Sequence, residues 1–143
     1  MTTPVVQEFF DQYARSRTEM DVDRIASQYA DSFMMAGPSG ARTAEKSAIL
    51  AAFASGQTFL KASGNESTGV VSLEETRLDQ QYVLVRAQFV WRFAKEPAQP
   101  KDVTINSTLV LYSGSGAPMI VFQHEREDFQ QALRASGVLP PKP

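Results

Sequence analysis

The sequence predicts an α+β domain in which three helices pack on a long, curved, mainly antiparallel sheet and a short C-terminal helix closes the structure. Three observations lead there. Apolar residues recur at helical spacing as far as about Asn65 and at alternating spacing beyond it. In the stretch Tyr82 to Ala94, one face (Val83, Val85, Ala87, Phe89, Trp91, Phe93) is apolar at every position. Turn-forming residues cluster where the chain must reverse, at Gly37-Pro38-Ser39-Gly40 and from Ser113 to Pro118. No segment repeats, and 143 residues suit one hydrophobic core, so 1–143 reads as a single domain with 138–143 as a flexible tail.

Thr3-Pro4 offers a cap and a proline at the first helical position, and Val5, Val6, Phe9, Phe10 and Tyr13 follow at helical spacing, predicting a helix from Pro4 to about Arg17. Asp21 can cap a second helix whose apolar face is Val22, Ile25, Ala26, Tyr29 and Phe33. Ser32 to Ala36 reads as a short strand running into the Gly/Pro turn. Thr43 can then cap a third helix with the face Ala48, Ile49, Ala52, Phe53, Gly56, Phe59 and Leu60, ended by Gly64. Strands are predicted over Thr68 to Asp79, Tyr82 to Ala94, Val103 to Tyr112 and Met119 to Arg126, the first two joined by a hairpin at Leu78 to Tyr82. Phe129, Ala132 and Leu133 mark the final helix, closed by Gly137. A curved sheet over helices leaves a concavity between the layers, where a small molecule can sit.

Composition excludes several function classes. Fourteen Lys+Arg against sixteen Asp+Glu, with no basic run, removes the electrostatic drive for binding nucleic acid or an anionic membrane. With no cysteine there is no disulfide, thiol nucleophile or thiolate metal site, and one histidine with no local carboxylate cluster predicts no metal and no cofactor. Met1-Thr2-Thr3-Pro4 lacks the basic start and apolar run of a secretory leader, so the expected location is cytoplasmic.

The segment Tyr29-Ala30-Asp31-Ser32-Phe33-Met34-Met35-Ala36-Gly37-Pro38-Ser39-Gly40, preceded by Asp21-Val22-Asp23-Arg24-Ile25, resembles the nuclear-transport-factor-2-like (NTF2-like, cystatin-like) superfamily and its SnoaL-like members. The ending Ile120 to Phe129 looks like the same group's last strand and the start of its short helix. The resemblance implies a cone-shaped α+β barrel, dimeric through the sheet. It spans isomerases, cyclases, dehydratases and proteins without known activity, so the residues must decide the chemistry. By resemblance to ketosteroid isomerases, the oxyanion-donating tyrosine falls at Tyr13. The base position falls at Gly37, which cannot accept a proton, and the second donor position at Thr108, so a standard ketosteroid isomerase is excluded. Glu74, Glu75 and Arg77 come nearest to the acid-arginine-acid set of epoxide hydrolases of this fold, and they read as a solvated edge.

His124, the one side chain that titrates near neutrality unaided, reads either as a general acid/base or as a packed histidine satisfied by a backbone carbonyl. It alternates with Ile120 and Phe122, yet a one-residue slip after the Ser-Gly turn would turn it outward and bring in Gln123 and Glu125. Tyr13 reads as a ligand-facing donor or as an apolar anchor of the first helix. The expected site is one apolar cavity on which Tyr13 and His124 converge, lined by Phe33, Met35, Phe53, Phe89, Trp91 and Thr108. Its expected occupant is a small, largely hydrophobic molecule, either simply bound or transformed by proton transfer through His124 and Tyr13. Arg86 and Arg92, on the other sheet face, are expected beside a homodimer contact.

Overall fold

The change of apolar period near Asn65 marks a real boundary. The computed structural model describes residues 2–114 and 116–140. Along them run α1 (Pro4–Thr18), α2 (Val22–Ser27), β1 (Tyr29–Gly37), β2 (Gly40–Glu45), α3 (Lys46–Ala62), β3 (Asn65–Arg77), β4 (Tyr82–Phe93), β5 (Lys101–Tyr112), β6 (Met119–Glu125) and α4 (Phe129–Ala135). At the boundary Gly64 takes φ +81° and lies against the Lys95 backbone, where a Cβ has no room. The six strands form one sheet in the order β2-β1-β6-β5-β4-β3, antiparallel throughout except for the β1/β6 pair.

The helices cover one face of the sheet. There Phe10 and Tyr13 of α1 meet Phe33 of β1, Val85 and Phe89 of β4, Leu109 of β5 and Ile120 of β6 in the main core. A second cluster, of Leu60, Phe93, Val103, Ile105 and Leu133, closes the end of the sheet under α4. The all-apolar face of β4 supplies both clusters, as its alternation predicts.

Several sequence expectations are corrected. The second helix ends at Ser27, and Tyr29 and Phe33 belong to β1. Their spacing of four keeps two residues on one face of a helix and of a strand alike, so periodicity could not separate the two. Residues 40–45 form β2, which places Thr43 in a strand opposite Met34 instead of at a helix cap. Its residues are mostly exposed, and without a buried face the strand leaves no alternating pattern to read. In α3, Ala48 and Ala52 face solvent. Thr3 precedes α1 without capping it through its side chain; its amide and hydroxyl both donate to Glu75, at 2.9 and 3.0 Å. Glu75 is therefore a tether for the entry to α1, not a solvated edge residue. Val138 and Leu139 pack on the second core cluster, with amides donating to the Leu133 carbonyl at 2.9 and 3.2 Å, so the expected flexible tail does not begin at 138. The remainder of that tail, 141–143, and Ser115 of the Ser-Gly turn lie outside the described residues.

Candidate functional site

The predicted site residues divide between the two faces of the sheet. Tyr13 is buried beneath the helices, its ring stacked on Phe89 at 4.7 Å. Phe33 and Phe89 are buried on the same side, and Met35, Phe53 and Trp91 are half-buried against the core. His124 and Thr108 are register partners on the opposite face. With Arg86, Gln88, Asn106 and Arg126 they border a groove of about 520 Å³ there. Tyr13 and His124 therefore do not converge.

One residue accounts for this. Ile120 pairs with Leu111 and Phe122 with Val110, which leaves Val121 as an extra residue in β6. Ile120 and Gln123 consequently both point inward, although their sequence parity differs, and His124 turns out. The cavity expected around Tyr13, Phe33, Met35, Phe53, Phe89 and Trp91 is closed as well. Four grooves bordered by described residues are lined by none of them.

What the bulge brings inside is a continuous polar chain. Arg17, one turn after Tyr13 on α1, is 2% exposed. Its guanidinium lies 3.3 Å from the Tyr13 ring centroid and 5.6 Å from that of Phe53 on α3. It donates to the Tyr13 carbonyl at 3.2 Å, to Gln28 Oε1 at 2.8 Å and to the Tyr29 hydroxyl at 3.1 Å. Tyr29 donates to Gln123 Oε1 at 2.6 Å. The Gln123 amide donates to Tyr13 Oη at 3.1 Å and to Glu125 Oε1, while Ser107 Oγ donates to Glu125 Oε2 at 2.6 Å. A guanidinium can only donate, so the orientation of every later member follows, including the rotamer of the Gln123 amide.

Among the described residues Arg17 forms no direct ion pair. Its charge reaches the Glu125 carboxyl through two neutral groups. Burial pushes the Glu125 carboxyl above its ordinary range; the Ser107 and Gln123 donors and the Arg17 charge pull the other way, and Glu127 adds to the rise. Burial likewise raises both Tyr13 and Tyr29, which stay protonated as hydrogen-bonding phenols. Ser107 pairs with Ala87 on one side and Glu125 on the other, so the acid stands at the end of a row of small side chains on the inner face. Gly37, the base position in ketosteroid isomerases, lies beside the Glu125 carbonyl. The arrangement offers a titratable carboxyl and two phenols among aromatic rings, which is equipment for orienting a polar atom of an apolar molecule or exchanging a proton with it.

Sequence reasoning missed Arg17, Gln28, Tyr29 and Ser107. Arg17 enters the sequence reading only as the approximate end of α1, and its i+4 relation to Tyr13 is the one signal that places it on the buried face. Gln123 and Glu125 were reachable through the register slip, but nothing in β6 marks Val121 as the residue that bulges.

A family model described as NTF2-like protein (DUF6841) matches residues 3–112. No curated protein matches the sequence. Among solved structures, an NTF2-like protein of unknown function from Shewanella oneidensis is similar at 15% identity, with 89% of this chain and 100% of that one covered and a TM-score of 0.72. A putative scytalone dehydratase from Novosphingobium aromaticivorans aligns at 10% identity over 85% of this chain and 80% of its own, with a TM-score of 0.68. A ketosteroid isomerase-like protein from Erwinia carotovora aligns at 12% identity over 87% and 95%, with a TM-score of 0.64. At these identities the likeness establishes the fold alone.

Proposed function

The chain belongs to the NTF2-like family DUF6841, and from that premise we propose that it binds a small, largely apolar molecule between α3 and the inner face of the sheet. The observation that carries this reading is the setting of the Tyr13-Gln123-Glu125 cluster: polar groups joined beneath the helices, with Phe89 stacked on Tyr13, Phe33 against Tyr29 and Phe53 over Arg17. The interior is closed as it stands, so the molecule enters by displacing α3. That helix buries only Ile49 and Leu60 of its 17 residues. Its ring Phe53, half-buried over Arg17, would be replaced by the ligand. A proton-transfer enzyme is the second reading, favoured by the raised Glu125 carboxyl beside Tyr13; in it Glu125 takes the role expected of His124.

The test is amide hydrogen exchange with and without 2-acetylnaphthalene. The expected result is a change in protection confined to α3 and the inner strands, abolished by Ala87→Phe, which fills the row beside Ser107. Binding that survives Ala87→Phe, or a response confined to the His124 groove, refutes the interior site. We also propose that the outer face, where Met34 and Tyr82 are exposed and Arg86, His124 and Arg126 surround the groove, meets a second copy of this chain. Sedimentation equilibrium giving one chain's mass at all concentrations would reject that contact.

A further inference from the structure

We infer that the molecule held against the inner face is a small apolar carboxylic acid, bound as its carboxylate by the Arg17 guanidinium and the Tyr13 hydroxyl. The inference rests on the interior site proposed above. Charge carries it. Arg17 is 2% exposed, and among the described residues no carboxylate lies within ion-pair distance of it. A cation taken that far from water needs a counter-charge or a full set of acceptors, and here it has neither. Nη1 donates to the Tyr13 carbonyl and to Gln28 Oε1, Nη2 donates once, to Tyr29, and Nε enters no hydrogen bond among the described residues. The two protons left over belong to Nε and Nη2, nitrogens that share the edge by which a guanidinium pairs side-on with a carboxylate. The Tyr13 hydroxyl, on the ring beneath the same guanidinium, accepts from Gln123; its own proton has the Tyr29 oxygen to turn to and is otherwise unspent. Unspent donors therefore gather at the α1 end of the polar chain.

Glu125 does not meet this need. It is reached only through Tyr29 and Gln123, it is open to solvent in part, and burial pushes its carboxyl toward the neutral form, in which it does not repel an incoming anion. A ligand carboxylate supplies the counter-charge directly. A neutral acceptor takes up the same protons without it, and a cation adds to the charge already buried there. The approach is through Phe53, whose half-buried ring stands 5.6 Å from the guanidinium on the loosely held α3. An aryl body that takes the place of this ring keeps an aromatic face beside Arg17 while its carboxylate reaches the free edge. The groove on the outer face is the rival anion site. Arg86 and Arg126 there form no ion pair among the described residues either, but both are exposed, and a hydrated charge loses little by standing alone.

The experiment compares two probes of one shape, 2-naphthoate, an anion, and 2-acetylnaphthalene, its neutral counterpart, by calorimetric titration of the full chain at neutral pH. 2-Naphthoate should bind about tenfold more tightly or better, as expected for charge-assisted hydrogen bonds in a closed interior. This comparison needs no variant. Arg17→Met should remove the preference while leaving the affinity for 2-acetylnaphthalene in place, which loss of packing alone would not do. Tyr13→Phe, which deletes one donor and keeps the ring, should reduce the preference several-fold, and it serves where Arg17→Met does not fold. Arg86→Ala and Arg126→Ala should leave the preference unchanged. Equal affinity of the two probes, or a preference for the ketone, overturns the inference while leaving the interior site standing. A preference that persists at full strength in Tyr13→Phe or in folded Arg17→Met, or that is lost in Arg86→Ala or Arg126→Ala, puts the anion elsewhere and overturns it as well. Failure of both probes to bind overturns the interior site itself.

Discussion

Helices α1 and α3 flank the same inner face of the sheet and are held there very differently. Of the 15 residues of α1, seven are buried, including Phe10, Tyr13 and Arg17; of the 17 in α3, two are. The difference lies in side-chain volume and spacing. Val6, Phe10, Tyr13 and Arg17 put one long side chain per turn onto the core, and the last two also enter the polar chain. In the middle of α3 the sequence offers alanines and Gly56, where an added Cβ would meet open space, so Phe53 and Phe59 touch the core clusters but stay only half-buried. One wall of the interior is fixed and the other is a cover, and a site that must admit a molecule needs both.

The sharpest way to break this comparison is to cut one large ring from each helix. Phe10→Ala should cost about 3–5 kcal/mol in urea unfolding, because the ring is fully buried among Phe9, Tyr13 and Phe89. Phe53→Ala, by contrast, should cost roughly 1 kcal/mol, since its ring is half exposed already. Equal losses would mean that α3 is part of the fixed core. Next in size, Arg17→Ala should cost about 3 kcal/mol, by leaving Tyr29 and Gln28 short of a donor and Glu125 without its compensating charge. A loss no greater than that for an exposed α3 residue such as Ser55 or Thr58 would show that the polar chain does not hold α1.

A smaller effect separates the two walls by pH. Glu125 titrates higher in the folded chain than its ordinary 4.5, so the folded state binds the proton more tightly than the unfolded chain does. Its contribution to stability is therefore intact below the unfolded pKa and is lost as pH rises through the raised folded value. Subtracting the Glu125→Gln profile from wild type should isolate that decline, and a difference that rises with pH would contradict it. The smallest effect belongs to the outer face: His124→Ala should change unfolding free energy by less than about 0.5 kcal/mol and leave probe affinity in the interior unaltered. A clear loss of probe affinity would restore His124 to the site.

Nearly all of the fold was legible where burial is one-sided. The face of β4, the cap Asp21, whose carboxylate accepts from Arg24 N at 3.2 Å, and the helix-ending Gly64 and Gly137 all express local rules. β2 escaped because its residues are mostly exposed, and the end of α2 because a spacing of four suits either period. The site was less legible for a different reason. Tyr13 and its aromatic neighbours were placed on the inner face, but the polar residues that meet them come from α1, the C-cap of α2, β1, β5 and β6, and their meeting depends on register. An arginine gives no sign in sequence that its charge will be buried, and a bulge none of where it will fall.

Val121, the bulged residue of β6, has a bearing on how such proteins diversify. Straightening the bulge with Val121 kept in the ladder would give plain alternation from Ile120 onward, turning the imidazole of His124 into the interior and the amide and acid of Gln123 and Glu125 out to the other face, whereas deleting Val121 would leave every later residue on its present face. No other residue need change for the interior to exchange a carboxyl for an imidazole. In a sheet built this way the reagent presented to a bound molecule is chosen by strand register as much as by residue identity, so gaining or losing a bulge in the last strand is a route between chemistries that point substitutions at the facing positions reach only in several steps.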